Sequence, residues 1–193
     1  MKTLNKKIFT QVLGREDYIN YFLFFASTDP VTARKRKRNR MVFVVIFLLI
    51  AGYFIVQDYE RKKAVDWTFI LIYLLLFAIL YVVREYTERV RYKNYYTRYV
   101  DKSLKDSSEK HSTLEFTNSG IVIREDGNET PIPYTSFTEI AETPLYIYIK
   151  MEDGTALVIP KNSEYIDEIK ENLNIISDEK KIAYTDMPNW KWK

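Results

Sequence analysis

The chain contains few residue types that could carry out catalysis, and none of them lies in a catalytic pattern. There is one histidine, His111, and no cysteine, so disulfides, zinc–thiolate sites and cysteine nucleophiles are excluded. The sequence has no glycine-rich phosphate loop and no Gly-x-Ser-x-Gly elbow. Acidic pairs at 125–126 and 152–153 precede glycines, where carboxylates usually form solvated turns. We predict that the protein is not an enzyme and that it binds no cofactor and no metal.

Electrostatic binding is the chemistry that the residue types favour. Six Lys or Arg residues fall within Arg34–Arg40, next to an apolar segment, and Arg84 follows a second apolar segment. Basic residues beside a membrane span are attracted to anionic lipids by about 1 kcal/mol each. A membrane surface therefore explains the cluster, and no nucleic-acid partner is predicted. The predicted membrane-surface residues are Arg34, Lys35, Arg36, Lys37, Arg38, Arg40 and Arg84.

The two apolar segments, Met41–Val56 and Trp67–Val83, carry no charge and contain twelve Leu, Ile, Val or Phe residues each. Those twelve residues favour insertion by about 4–7 kcal/mol per segment. Each segment spans about 25 Å as a helix, slightly less than a hydrocarbon core of about 30 Å, and flanking arginines and aromatics can supply the difference. The sequence therefore predicts a transmembrane hairpin. A soluble bundle is disfavoured because nothing else in the chain could cover two helices that are apolar on all sides.

The distribution of charge predicts the orientation of this hairpin. The connecting loop, Gln57–Asp66, has three acids and three bases, whereas basic residues lie outside both spans. The positive-inside rule then places both termini in the cytoplasm of a multi-pass protein of the cell membrane.

Two helices are predicted in this region: one contains the first span, and the other precedes it. Asp29-Pro30 predicts a helix start, with a capping side chain before a proline in the first turn, and the helix would run to about Val56. Residues 15–27 form a further predicted helix with a broad aromatic face. We favour an interfacial helix lying along the headgroups for this segment, with a core helix of the soluble domain as the alternative.

Residues after about 105 change to a strand pattern. Short alternating runs at 113–117, 121–124, 130–134, 137–143, 145–151 and 155–159 are separated by turn residues such as Asp126-Gly127. They predict a small antiparallel sheet or barrel, and we favour a sheet of five to seven strands. Pro131 and Pro133 restrict their strand to an edge or an irregular position. A helix over 163–176, capped by Ser163, would close the sheet. Residues 4–13 read as a strand that pairs with this sheet, because it has no other partner for its backbone groups.

The order of strands and closing helix resembles a pleckstrin-homology-like (PH-like) domain. The stretch Thr113–Lys161 contains a series of short motifs: Asn118-Ser119-Gly120, Pro133-Tyr134, Phe137–Ile140, Glu142, Leu145–Ile149 and Ala156–Lys161. On these motifs the chain resembles the YcxB-like family of small bacterial membrane proteins. The last six residues of this resemblance, 156–161, are the most specific. Tyr134 stands where the family usually has Trp. The resemblance implies fold and membrane location, and it carries no known chemistry. The motif residues, interpreted as structural, are Gly120, Tyr134, Ile159, Pro160 and Lys161.

These observations predict an α+β membrane protein with a two-helix transmembrane hairpin and a small antiparallel PH-like β domain with a C-terminal helix. The predicted segments are 1–29 (strand and interfacial helix), 30–105 (hairpin with a cytosolic extension), 106–176 (PH-like domain) and 177–193 (tail). Function is expected to be the membrane tethering of a module that binds a protein or peptide. The alternative is a membrane-embedded protective factor, such as a toxin-immunity protein, acting through the hairpin. Self-association into a homo-oligomer is left open.

Overall fold

The computed structural model describes residues 7–62, 67–103 and 109–192, and they form four α-helices and eight β-strands. The helices are α1 (Arg15–Thr28), α2 (Pro30–Lys62), α3 (Trp67–Ser103) and α4 (Ile166–Lys180). The strands are β1 (Ile8–Gly14), β2 (Glu109–Phe116), β3 (Gly120–Glu125), β4 (Asn128–Pro133), β5 (Phe137–Glu142), β6 (Tyr146–Met151), β7 (Ala156–Pro160) and β8 (Ala183–Asp186). A single 3₁₀ turn, Tyr134–Ser136, joins β4 to β5.

The chain divides into two compact units. Unit 1 comprises residues 1–21 and 99–191, and unit 2 comprises residues 22–98 and 192–193. Unit 1 is assembled from both ends of the chain, because β1 pairs antiparallel with β2 from Ile8↔Glu115 to Gly14↔Glu109. The predicted pairing of the N-terminal strand is thus confirmed over its described part, and its first residues, 4–6, lie outside the described residues.

Unit 1 contains two four-stranded sheets, in the orders β1-β2-β3-β4 and β7-β6-β5-β8. All pairs are antiparallel except β5 with β8, which are parallel. The prediction of one sheet with five to seven strands is therefore wrong in number and arrangement, although the α+β class with antiparallel sheets is confirmed. Phe9, Phe116 and Ile149 lie in one core with residues from both sheets and from α4, so the two sheets bury a common apolar interior.

The C-terminal helix starts later than the sequence predicts. Ser163 does not cap it: Tyr165 is the residue before the first helical turn, and it makes no side-chain capping bond. The Ser163 hydroxyl instead accepts a hydrogen bond from the Tyr165 N–H at 3.3 Å. Ile169, Leu173 and Ile176 place the apolar face of α4 in the core of unit 1. Residues 177–193, predicted as a tail, include the end of α4 and all of β8.

The first half of α1 belongs to unit 1, where it packs on the second sheet. The Tyr146 hydroxyl on β6 donates to Asp17 Oδ1 at 2.8 Å, and Asn20 Nδ2 donates to the Tyr146 hydroxyl at 3.1 Å. Ile19 is fully buried. This half of the helix is packed on protein, as in the alternative interpretation, while an interfacial location for α1 stays a prediction.

In unit 2, α2 begins as predicted, with Asp29 Oδ2 accepting a hydrogen bond from the Thr32 N–H at 2.7 Å. Both α2 and α3 are long and apolar enough to cross a membrane. Aromatic contacts join them along the apolar segments, where the ring of Phe47 lies 4.4 Å from that of Tyr73 and 4.5 Å from that of Phe77. No residue of α2, all of which is described, is buried, so protein covers its apolar side chains only in part.

Candidate functional site

Three of the seven predicted membrane-surface residues are neutralised by two glutamates on α3. Arg40 Nε lies 2.9 Å from Glu85 Oε1, and Arg36 Nε lies 3.3 Å from Glu88 Oε1. Arg84 contacts both acids, at 3.4 Å and 3.6 Å. The two glutamate side chains are only 17% and 16% exposed. These ion pairs therefore join α2 to α3 just outside the apolar segments, and their charge is largely compensated within the protein.

The sequence alone gives a weak signal for these pairs. Glu85 and Glu88 are three residues apart and thus share one helix face, but which face turns toward α2 depends on how the two helices pack. The remaining predicted residues differ from the first three. Within the described ranges, Lys35, Lys37 and Arg38 have no acidic partner, and Arg34 donates to the Pro30 carbonyl at 3.3 Å.

Trp192, near the C-terminus, packs against the basic part of the hairpin within unit 2. The guanidinium of Arg36 lies 5.3 Å from the Trp192 ring centroid and 5.9 Å from that of Tyr92, distances typical of cation–π contacts. The indole Nε1 of Trp192 donates to the Arg89 carbonyl at 3.2 Å. The sequence predicts only a tail for this residue, and the structure shows it packed on α3.

The first pair of motif residues, Gly120 and Tyr134, fixes the turn between the two sheets. Tyr134 is 2% exposed, and its hydroxyl donates to the Thr117 carbonyl at 2.8 Å. Burial raises the pKa of the Tyr134 hydroxyl to about 12, so it remains a neutral donor. Gly120 lies so close to β4 that a Cβ atom there would stand 2.1 Å from the Ile132 carbonyl oxygen. Gly120 and Tyr134 therefore hold the backbone of this turn in place.

The second group, Ile159, Pro160 and Lys161, ends β7 inside unit 1. Ile159 is fully buried and Pro160 is also buried, opposite Tyr146. The Lys161 ammonium donates to Glu142 Oε1 at 2.5 Å and to the Thr143 carbonyl at 3.0 Å. Lys161 therefore connects the end of β7 to the end of β5.

Glu142 is the centre of a polar cluster that the sequence did not reveal. Besides Lys161, it is bound by Lys170 Nζ on α4 at 2.6 Å and by the Tyr184 hydroxyl on β8 at 2.5 Å. Burial opposes ionisation of the carboxyl, but the three donors prevail and lower the pKa of Glu142 to about 2. The cluster joins β5, β7, α4 and β8, so it stabilises the packing of these four elements. Glu142 and Lys161 both lie in the stretch that carries the family resemblance, but the sequence does not indicate that they contact each other.

Strand edges are the places where a peptide could extend a sheet, and the edge at β4 is poorly suited to this. The Tyr134 N–H donates to the Ser119 carbonyl at 3.0 Å, so alternation along β4 directs the backbone groups of Glu129, Pro131 and Pro133 outward. Two of these three have no N–H to offer. The prolines thus protect an edge strand, as the sequence predicts for them.

A second place where a peptide could extend a sheet is the groove beside α4, and the chain itself occupies this groove. β8 lies parallel to β5 there, and the Met187 N–H donates to the Glu142 carbonyl at 2.7 Å. In a parallel strand, the N–H and C=O groups of successive residues point alternately to one side of the strand and to the other. The backbone groups of Ala183 and Thr185 therefore point toward β5, and those of Tyr184 and Asp186 point outward. The outer edge of β8 is therefore the place in unit 1 where unprotected backbone donors and acceptors lie next to the C-terminal helix.

Two hairpin tips of unit 1, β3–β4 and β6–β7, are turns that carry the acidic pairs at 125–126 and 152–153, as predicted. Gly127 and Gly154 adopt positive φ angles of 80° and 83°, which glycine tolerates without strain. Among the residues described, no group of three or more His, Asp or Glu side chains is arranged to hold a metal ion.

Comparison with known proteins identifies one family. Residues 116–173 match the family model of YcxB-like proteins, which confirms the resemblance predicted from the sequence for that segment, a little under a third of the chain. The matched segment runs from the end of β2 into α4 and includes all five motif residues. No curated protein and no solved structure matches the chain.

Proposed function

We propose that the protein is a bacterial integral membrane protein that tethers a PH-like, peptide-binding module to the cytoplasmic face of the cell membrane. The observation that carries the membrane part is the exposure of large apolar side chains along α2 and α3, among them Leu49, Leu71 and Leu75 at 69%, 67% and 64%. In water such a surface would aggregate, whereas in a bilayer it is solvated by lipid. The apolar segments follow each other in one hairpin, which supports two crossings.

The PH-like assignment rests on unit 1. Two four-stranded sheets enclose one core, and a helix near the C-terminus, α4, closes it with Ile169 and Leu173. The succession of strands β2–β7 and then α4 supports this assignment, and β8 is an addition after the helix. The acidic hairpin tips would repel phosphorylated headgroups, which favours a peptide over a phosphoinositide as the ligand of this unit.

The proposed orientation predicts the accessibility of two exposed positions. In the cysteine-free protein, single substitutions Lys62→Cys and Ser103→Cys would report the outer and inner ends of the hairpin. With an impermeant thiol reagent on intact cells, we expect labelling of Lys62→Cys only, and labelling of Ser103→Cys only after permeabilisation. The reverse pattern would place the termini outside.

Peptide binding is expected at the outer edge of β8, by strand addition. Peptides would be selected from a random displayed library with the full chain in detergent, and their affinity measured by fluorescence anisotropy. Asp186→Pro removes one outward N–H and should weaken binding about tenfold, because one of the few backbone bonds to the peptide is lost. Glu129→Pro makes the same change at the edge of β4 and should leave affinity unchanged.

Failure to enrich any peptide, or equal loss in both variants, would contradict this site. Exchange of the two spans for unrelated apolar helices separates the proposal from the alternative. A tethered module keeps its peptide affinity after the exchange, whereas a protective factor that acts through the hairpin loses its function.

A further inference from the structure

Unit 2 contains a cavity of about 630 Å³ between α2 and α3, beside the ion pairs described above. Its walls combine cationic side chains, Lys35, Arg84 and Arg91, with the aromatic rings of Tyr92 and Tyr95. The side-chain amide of Asn39 adds a neutral donor. Such a combination of fixed positive charge, polar donors and apolar walls suits a ligand that has an anionic group attached to an apolar body.

The charge of the cavity is positive. Glu88 also lines it, but that carboxylate is bound by Arg36 and Arg84. Lys35 and Arg91 are exposed and have no acidic partner in the part of the chain that the structure describes. Their charges are therefore available to an anion, in contrast to those of Arg36 and Arg40, which face glutamates.

The depth of the cavity follows from its position along the helices. Arg84 comes directly after the second apolar segment, and Arg91 lies seven residues further, about 10 Å along the helix axis. A headgroup layer extends roughly 5–8 Å beyond the hydrocarbon core on each side. If the hairpin crosses a membrane as proposed above, the cavity extends from the edge of the hydrocarbon core, at Arg84, through the headgroup layer to its outer side, at Arg91.

We propose that this cavity binds the phosphate of an anionic phospholipid, with Lys35 and Arg91 as its cationic ligands and the tyrosines as walls for the glycerol region. This inference rests on the proposed membrane insertion and adds a defined site to it. Diffuse attraction would involve every base of the cluster equally. Lys35 is the member of that cluster at positions 34–40 whose charge lines the cavity, whereas Lys37 and Arg38 do not line it. Arg91, which lies outside the cluster, lines the cavity as well.

The test compares two variants of equal charge. The full chain in a neutral detergent is titrated with phosphatidylglycerol or with phosphatidylcholine of the same acyl chains, and bound lipid is counted by native mass spectrometry. We expect phosphatidylglycerol to bind more tightly. The double variant Lys35→Gln/Arg91→Gln should lose roughly 25-fold in phosphatidylglycerol affinity, since each of the two basic residues contributes about a factor of five. Lys37→Gln/Arg38→Gln should lose less than twofold.

Equal losses in the two variants would show diffuse attraction and overturn the proposal. Glycerol 3-phosphate is the soluble phosphate used as a competitor. If it displaces phosphatidylglycerol with an affinity equal to that of the lipid, the ligand is a free phosphate and the proposed lipid is wrong. Extraction of membranes with alkaline carbonate distinguishes a failure of the proposed lipid site from a failure of the proposed membrane insertion. A protein that stays in the membrane but shows no lipid preference refutes the cavity alone, and a protein that is extracted refutes membrane insertion as well.

Discussion

Replacement of Gly120 by alanine is expected to lower the free energy of unfolding of unit 1 by about 3 kcal/mol. The added Cβ would stand 2.1 Å from the Ile132 carbonyl oxygen and 2.8 Å from the Pro133 Cα. These are backbone atoms of a strand paired with β3, so they cannot move aside as a flexible side chain would. Accommodation requires separation of β3 from β4 next to the buried Tyr134.

Hydrogen exchange of the full chain in detergent, followed by mass spectrometry, measures this effect in unit 1 alone. Amides of β3 and β4 should exchange on the order of a hundredfold faster in Gly120→Ala. Gly14→Ala is the matched control, because its Cβ would meet only the Asp17 Oδ2 at 3.6 Å, an ordinary contact. Unchanged exchange in Gly120→Ala would show that the close approach of these strands is not required.

Replacement of Glu142 by glutamine is expected to destabilise unit 1 by about 2 kcal/mol at pH 7. The change leaves the ammonium groups of Lys161 and Lys170 close together without an anion. The loss should be smaller than the roughly 3–5 kcal/mol of a fully buried pair, because the lysine side chains are 23% and 31% exposed. Thermal unfolding in detergent, followed by circular dichroism, measures it, with the exposed Glu164→Gln as a control expected to stay within about 0.5 kcal/mol.

The same variant has a defined pH dependence. The pKa of Glu142 is about 2 in the folded protein, below its ordinary value of 4.5. The carboxylate therefore contributes stability above pH 4.5, and this contribution is lost as the pH falls toward 2. The difference between the wild-type protein and Glu142→Gln should shrink over that range. A difference that stays constant from pH 7 to pH 2 would exclude the charge of Glu142 as the cause.

Elements with strong local signals were predictable from the sequence. Asp29-Pro30 marks the start of α2 because capping and proline geometry depend on adjacent residues only. The apolar segments are long enough to identify two candidate spans. The pairing of β1 followed from the general need of backbone groups for partners, although its register depends on contacts with residues about a hundred positions away.

Elements that depend on tertiary packing were not predictable. β8 has four residues without an apolar alternation, and it is held by the parallel ladder with β5 and by the bond from Tyr184 to Glu142. The Glu142 cluster draws its donors from three separate elements, which no local pattern relates. The division of the strands into two sheets depends on the 3₁₀ turn at Tyr134, whose sequence resembles that of the neighbouring strands.

The pairing of β1 with β2 has a consequence for biosynthesis. The N-terminal strand leaves the ribosome before both apolar helices, and its partner follows after them, so β1 must wait for about a hundred residues to be synthesised. In a bilayer the two strands can meet only if the chain between them returns to the side on which it began. Insertion of a single helix would leave the strands on opposite sides, and unit 1 would stay open. Closure of the β domain would thus report that both helices of the hairpin have inserted.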